Sequence, residues 1–323
     1  MSISVVVTVR NEAETIDDLV RSLLGQTRPP EEIVFTDGGS TDQTVTRLRH
    51  WITRGAPIRL LECPGANIAA GRNRAIEAAQ TDLIACTDAG VSLDPRWLER
   101  IVAPFASGAD VVMGFFQSAP RNAFELALGA TTLPDVDEID PDRFIPSSRS
   151  IAFRRSAWER VAGYPEWLDY CEDVVFDLAL RRAGYRFAWV PDAVVYFRPR
   201  PSVSAFFRQY YRYARGDGKA NLWPRRHLIR YLTYALGPLV TLGGFWYKRF
   251  WFGLAVAAVF YLLAPYRRLV RATAASRREK VLAALLVPVL RLVGDVAKML
   301  GYPVGVDWRA RRRGRLPPPT GET

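Results

Sequence analysis

The sequence predicts an α/β fold with a mostly parallel sheet and helices on both of its faces. Three observations carry this expectation. Short apolar, β-branched runs alternate with amphipathic helical segments. The runs end on polar residues, at Arg10–Asn11–Glu12, Asp37 and Asp88. Glycines follow two of those ends, in GGSTDQT after Asp37 and in AG after Asp88, as tight turns at a ligand-facing sheet edge require.

In order, ISVVVTV (3–9) reads as a strand buried on both faces. The helix after it sets Ile16, Leu19, Val20, Leu23 and Leu24 on one face, with acidic residues early and Gly25 at its end. EIVFTD (32–37) is the next strand, a helix is expected over 42–51, and IRLLE (58–62) is a third strand. A helix over 69–79 leads to DLIACTD (82–88). In DPRWLERIVAPF (94–105), Asp94 suits an N-cap and Pro95 the first helical turn. DVVMGFF (110–116) closes this half, and residues 117–150, acidic in part, read as a loop able to close over a site. SIAFRRSAWERVAGY and CEDVVFDLALRRAGY supply a strand and two helices, and RFAWVPDAVVYF a last strand.

Charge divides the 323-residue chain. Its net charge of +11 combines 24 basic and 5 acidic residues from Arg198 onward with 20 basic and 28 acidic before it. The basic residues flank apolar stretches and do not form a polar, aromatic-dotted face, so a membrane surface is the expected partner and nucleic acid is not. Tyr231–Tyr247 and Phe250–Tyr266 are uncharged, edged by aromatics and joined by Lys248–Arg249, which predicts a two-span hairpin. The arginines after it place that side, and with it the N-terminal domain, in the cytoplasm. Residues 281–300 carry Arg291, Asp295 and Lys298 and suggest a surface-lying helix. The expected organisation is a globular domain over 1–220, a membrane-associated helical region over 221–301 and a disordered basic tail over 302–323. Cys63, Cys86 and Cys171 lack metal spacing and read as reduced thiols, and the N-terminus has no signal-peptide pattern.

Several residues ask for a chemical role. Asp42 has a simple one, capping the helix after GGSTDQT, whereas Asp37 at the strand end points to a ligand. Arg72 and Arg74 stand near a helix N-terminus, where positive charge is unfavourable unless an anion such as a diphosphate sits there.

The ordered set VVVTVRNEA, TDGGSTDQT, GRNRAI, TDAG, CEDVVFDLALRRAG and QYYRYARGDG resembles the family 2 glycosyltransferases of GT-A fold, over about residues 3–220. The resemblance implies a nucleotide-sugar donor held by Arg10, Asn11, Glu12, Asp37, Arg72 and Asp88. It implies Asp173 as general base, with Glu172, Gln209, Arg212 and Tyr213 near the acceptor and diphosphate. Tyr213 stands where tryptophan is usual. Asp88 matches the first carboxylate of the D-x-D element, which binds Mg²⁺ or Mn²⁺, but Gly90 replaces the second. A metal held mainly by diphosphate stays compatible with this, with Arg72 or Arg212 sharing the neutralisation. The implied activity is inverting hexosyl transfer, UDP being the expected nucleotide, to a hydroxyl of a lipid-linked or other membrane-near glycan acceptor. Two spans are too few for a polysaccharide pore, so transfer is expected to be non-processive. The alternatives are a polyprenyl-phosphate acceptor, already ionised and needing no base, and a catalytically silent membrane-anchored nucleotide-binding protein.

Overall fold

A computed structural model describes residues 1–312 of the chain. It forms two compact units: residues 1–119 with 136–198, and residues 120–135 with the chain from Pro199 onward. The boundary therefore differs from the expected break at 220, since residues 120–135 and 199–220 belong to the second unit.

The first unit holds one eight-stranded sheet, made of β1 (Ile3–Val9), β2 (Glu32–Asp37), β3 (Ile58–Glu62), β4 (Leu83–Asp88), β5 (Val91–Leu93), β6 (Val111–Ser118), β7 (Ile151–Arg154) and β8 (Phe187–Phe197). Their spatial order is β3-β2-β1-β4-β7-β6-β8-β5. The first four in that order run parallel, and β7 pairs antiparallel with both β4 and β6. β6 and β8 run parallel, and β5 closes the far edge antiparallel to β8. Its helices are α1 (Ile16–Leu24), α2 (Thr44–Thr53), α3 (Ile68–Ala78), α4 (Trp97–Val102), α6 (Arg155–Arg160) and α7 (Glu172–Arg182), while α5 (Ala123–Thr132) belongs to the second unit.

Alternation along β1 divides the core, because successive side chains leave a strand on opposite faces. Val5 and Val7 join Leu19, Leu23, Trp97 and Ile101 on the α1/α4 side. Val6 joins Ile76, Ile84, Phe176 and Leu180 on the α3/α7 side. Both sheet faces are thus covered, as the unbroken apolar runs require. The short strand β5, absent from the sequence reading, follows the turn at Gly90.

The second unit is helical: α5, α8 (Val203–Ala220), α9 (Pro224–Gly243), α10 (Arg249–Arg271) and α11 (Arg277–Ala310). Leu126, Leu128, Phe206, Leu269, Val287 and Leu290 share its core. Part of the loop expected over 117–150 is therefore a buried helix. Asn122 caps α5 by accepting the Glu125 N–H at 2.9 Å, and the helix is apolar nearly all round, so it shows no amphipathic period.

The surface-lying helix expected over 281–300 belongs to the longer α11, which starts from a Ser276/Glu279 capping box. One of its faces is buried in protein, through Ala283, Val287, Leu290, Gly294, Ala297, Gly301 and Gly305. Its end packs backbone to backbone on α8. A β-carbon at Gly218, Gly301 or Gly305 would stand 2.3, 2.1 and 2.1 Å from a carbonyl oxygen of the other helix. Residues 302–310, expected in the disordered tail, are helical, and residues 313–323 lie outside the described part.

Among the described residues, α10 is the one helix long and apolar enough to cross a membrane, with a mean hydropathy of 1.4. α9 starts seven residues before the first expected span, takes in Arg225, Arg226 and Arg230, and stops at Gly243. Both helices leave large apolar side chains exposed, among them Leu239 and Leu242 on α9 and Phe252 and Phe260 on α10.

Candidate active site

Strand register sets the site. Parallel pairing puts Asp37 beside Val9 and Asp88 beside Thr8, so both carboxylates stand at the C-terminal edge of the sheet, on either side of β1. Ligands of open α/β sheets gather at this edge. Arg10, Asn11 and Glu12 leave the end of β1 between them. Asn11 adopts a left-handed conformation, with φ of 57°. Its amide donates to the Ser40 hydroxyl at 2.8 Å, and its side-chain oxygen accepts the Thr41 N–H at 2.8 Å. The Glu12 amide donates to the Thr44 hydroxyl at 2.8 Å, and the Glu12 carboxylate accepts from Thr15. Arg10 is exposed.

Asp37 is 3% exposed. Its carboxylate accepts the Gly39 and Ser40 amides at 3.0 and 2.9 Å and the Ser40 hydroxyl at 2.5 Å. It therefore folds the GGS turn, a structural duty that the sequence reading did not assign to it. Asp42 accepts the Thr44 amide at 2.9 Å, but it does not cap the helix as expected: the N-cap of α2 is Gln43, which has no side-chain cap bond, and Asp42 folds the turn before it.

Arg72 ties the sheet edge to α7. Its side chain is 3% exposed, and its two terminal nitrogens lie 2.6 Å from Asp88 Oδ1 and 2.5 Å from Glu172 Oε1. The anion that the sequence demanded near the start of α3 is thus a pair of protein carboxylates. α3 also places α7. Asn67 caps α3 through the Ala70 amide and donates to the Glu166 carbonyl, while Asn73 accepts the Tyr164 amide and donates to its carbonyl. This holds the segment that leads to Cys171, whose left-handed φ of 64° turns the chain into α7.

At the head of α7, Glu172 is buried and Asp173 half-buried. Asp173 accepts the amide of its neighbour Val174 at 2.9 Å. Burial pushes the Glu172 carboxyl up and Asp173 adds to this, against the pull of Arg72; the net is a rise to about 7. Burial disfavours the Arg72 cation, but Asp88 and then Glu172 outweigh it and hold its pKa well above the usual value.

A linked pH effect follows. Between the ordinary carboxylate range and about pH 7, folded Glu172 keeps a proton that the unfolded chain releases, so its contribution to stability falls as pH rises through that window. Glu172→Gln is expected to flatten the slope of Tm against pH there. An unchanged slope would place the proton elsewhere.

Three features were missed in the sequence. Arg149 lies with its Nε 3.4 Å from Asp88 Oδ2 and its guanidinium 4.9 Å from the Phe197 ring and 5.8 Å from that of Phe116. Asn73, already described, carries the chain toward α7. Asp177, one turn beyond Asp173, is fully buried, and neither carboxylate oxygen has a hydrogen-bond partner. Burial, and next Asp173, raises its pKa well above the carboxylate range.

Gly90 has a φ of +74°. A side chain in that left-handed conformation costs about 1–2 kcal/mol. A β-carbon there would stand 3.5 Å from Glu12 Oε2, so a carboxylate at this position would meet a like charge. Asp88 is meanwhile shared between two guanidiniums. Among the described residues no group of three His, Cys, Asp or Glu is arranged to hold a metal. Asp88 would offer a Mg²⁺ or Mn²⁺ ion one carboxylate already engaged by Arg72 and Arg149, so such an ion would be held mainly by the donor diphosphate.

Gln209, Arg212 and Tyr213 lie on α8, in the second unit. Gln209 donates to the Tyr213 hydroxyl at 2.7 Å, one helical turn away, and Arg212 is exposed. The first unit thus joins Asp88, Arg72 and Glu172 directly, with Asp173 next to Glu172 in the chain, and sets Asp37, Asn11 and Glu12 at the same sheet edge.

A sheet edge of this kind, with parallel strands on one side and a reversal at β7 on the other, is that of a GT-A-like fold. A mannosyltransferase from Pyrobaculum calidifontis, solved with GDP-Man and Mn²⁺, superposes with a TM-score of 0.54 at 19% identity, covering 96% of this chain and 87% of that one. The Glycosyl transferase family 2 model matches residues 4–161, and the Glycosyl transferase family group 2 model matches residues 141–294. The chain therefore carries glycosyltransferase family 2 domains. It is 29% identical to the succinoglycan biosynthesis protein ExoA of Rhizobium meliloti, over 73% of this chain and 75% of that protein. It is 27% identical to the glycosyltransferase AglE of Haloferax volcanii, over 74% and 80%.

Proposed function

We propose that the protein moves a glycosyl group from a nucleoside-diphosphate sugar, UDP being the expected nucleotide, to a hydroxyl of a lipid-linked or membrane-near glycan, with inversion at the anomeric carbon. The observation that carries this reading is the Arg72 bridge, which joins a sheet-edge carboxylate, Asp88, to the head of α7, where Asp173 stands. In the proposed step the acceptor hydroxyl gives its proton to the Asp173 carboxylate as its oxygen bonds to the anomeric carbon. The bond from that carbon to the diphosphate breaks, and its electron pair leaves with the phosphate. Arg149, with more access than Arg72, is the basic group beside Asp88 suited to meet the growing charge.

The apolar exposed faces of α9 and α10 and the arginines after α10 support attachment to a membrane with the first unit on the cytoplasmic side. This arrangement keeps the enzyme beside a lipid-linked acceptor.

The test is hydrolysis and transfer by the purified protein across UDP-, GDP- and dTDP-sugars, with and without chelator. Turnover of one donor class is expected. Donor binding without turnover over a broad acceptor set would replace this reading with a silent nucleotide-binding protein.

A further inference from the structure

The second unit holds a cavity of about 320 Å³, lined among others by Tyr210, Arg268, Arg291, Asp295 and Lys298. Three cations thus face one carboxylate, and that carboxylate is already satisfied. Asp295 Oδ1 accepts from Arg230 at 2.8 Å, and Oδ2 accepts from the Tyr261 hydroxyl at 2.6 Å and the Tyr234 hydroxyl at 3.2 Å.

Arg268 is engaged, donating to the Ala130 carbonyl at 3.0 Å, whereas Arg291 and Lys298 are less well served. Arg291 donates to the Tyr261 carbonyl at 2.7 Å, but its buried Nε has no hydrogen-bond partner. The Lys298 ammonium lies 5.0 Å from the centre of the Tyr210 ring, and among the described residues no carboxylate is within ion-pair distance of it. Burial, and next Arg230, pulls the Lys298 pKa down to about 8. An excess of positive charge on half-buried side chains around one cavity is costly unless an anion offsets it.

The surroundings are apolar. Ala264 and Arg268 bring α10 to the cavity. Phe260, one turn before Ala264 and on the same face, is 72% exposed, and Leu263 beside it is also exposed.

We propose that this cavity binds the phosphate group of an anionic amphiphile, held by Lys298 and Arg291, with the apolar chain lying along the Phe260 side of α10. Phosphate oxygens accept charge-assisted hydrogen bonds from ammonium and guanidinium donors. The proposal rests on the membrane part of the proposed function and not on the transfer chemistry, because binding is measured without donor.

The test is calorimetry on the full chain with three probes: monomeric short-chain phosphatidic acid, the matching phosphatidylcholine, and inorganic phosphate. Phosphatidic acid is expected to bind, inorganic phosphate more weakly, and phosphatidylcholine not measurably. Lys298→Met is expected to weaken phosphatidic acid binding by about tenfold or more, the loss of one charge-assisted hydrogen bond. Lys298→Arg should retain most of it and guards against a folding defect. The exposed Arg277→Gln is expected to change nothing, since a monomeric ligand presents no charged surface. Equal binding of the two lipids, or an unaffected Lys298→Met, would overturn the site. Inorganic phosphate binding as tightly as phosphatidic acid would overturn the amphiphile.

Discussion

Asp173→Asn is expected to lower kcat by about 10²–10⁴-fold while leaving donor affinity and Tm close to those of the parent. The range is that of a positioned general base. The amide keeps the shape of the carboxylate but takes up no proton. Little structure depends on the charge, because Asp173 is half-buried and accepts the adjacent Val174 amide, a bond that the Asn side-chain oxygen also accepts. Separate measurement of kcat, of KM for each substrate and of donor binding checks this. Near-normal turnover would point instead to an acceptor already ionised, such as a polyprenyl phosphate. A proportional loss of donor affinity would make Asp173 a donor ligand.

Arg72→Met is expected to destabilise the first unit by about 3–5 kcal/mol above pH 7, where it leaves the buried Glu172 carboxylate unpaired while Asp88 keeps Arg149. For a unit of this size that corresponds to about ten degrees or more in Tm. The prediction includes a rescue. Adding Glu172→Gln removes the buried charge that the first change leaves unpaired, so the double variant should recover part of the loss, and the cycle reads the coupling between the two side chains. Additive losses would mean that Arg72 acts through packing against Tyr164, whose ring centre lies 5.3 Å away. Activity should fall in Arg72→Met beyond what stability explains, since Asp88 and the head of α7 lose their common tie.

Much of this was legible in the residues. Apolar runs and helical periods gave the elements of the first unit, because a sheet covered on both faces imposes them locally. Strand ends gave Asp37 and Asp88, since a strand that ends on a carboxylate sets it at the sheet edge, where Asp37 is nonetheless buried in its own turn. What escaped notice depends on partners far apart in the chain. The demand for an anion near Arg72 was readable, but not that Glu172, a hundred residues on, supplies part of it. Arg149 precedes an apolar strand without periodicity or motif, and its role arises from Asp88, Phe116 and Phe197 converging on it. α5 reads as loop in the sequence because acidic, proline-containing residues follow it and its all-round apolarity gives no period. The reach of α11 was missed because Gly301, Pro303 and Gly305 look like a stop. The glycines there serve close approach to α8.

That close approach constrains how the two helices can change over evolution. Each residue inserted into a helix turns everything after it by about 100°. A single insertion between Gly218 and the start of α8, or between Gly301 and Gly305, would swing a side chain into a carbonyl of the partner helix. Drift in residue identity on the outer faces is harmless by comparison. Length should therefore be the invariant here, with gaps in related chains falling before Val203 or after Ala310 and not between them along this seam.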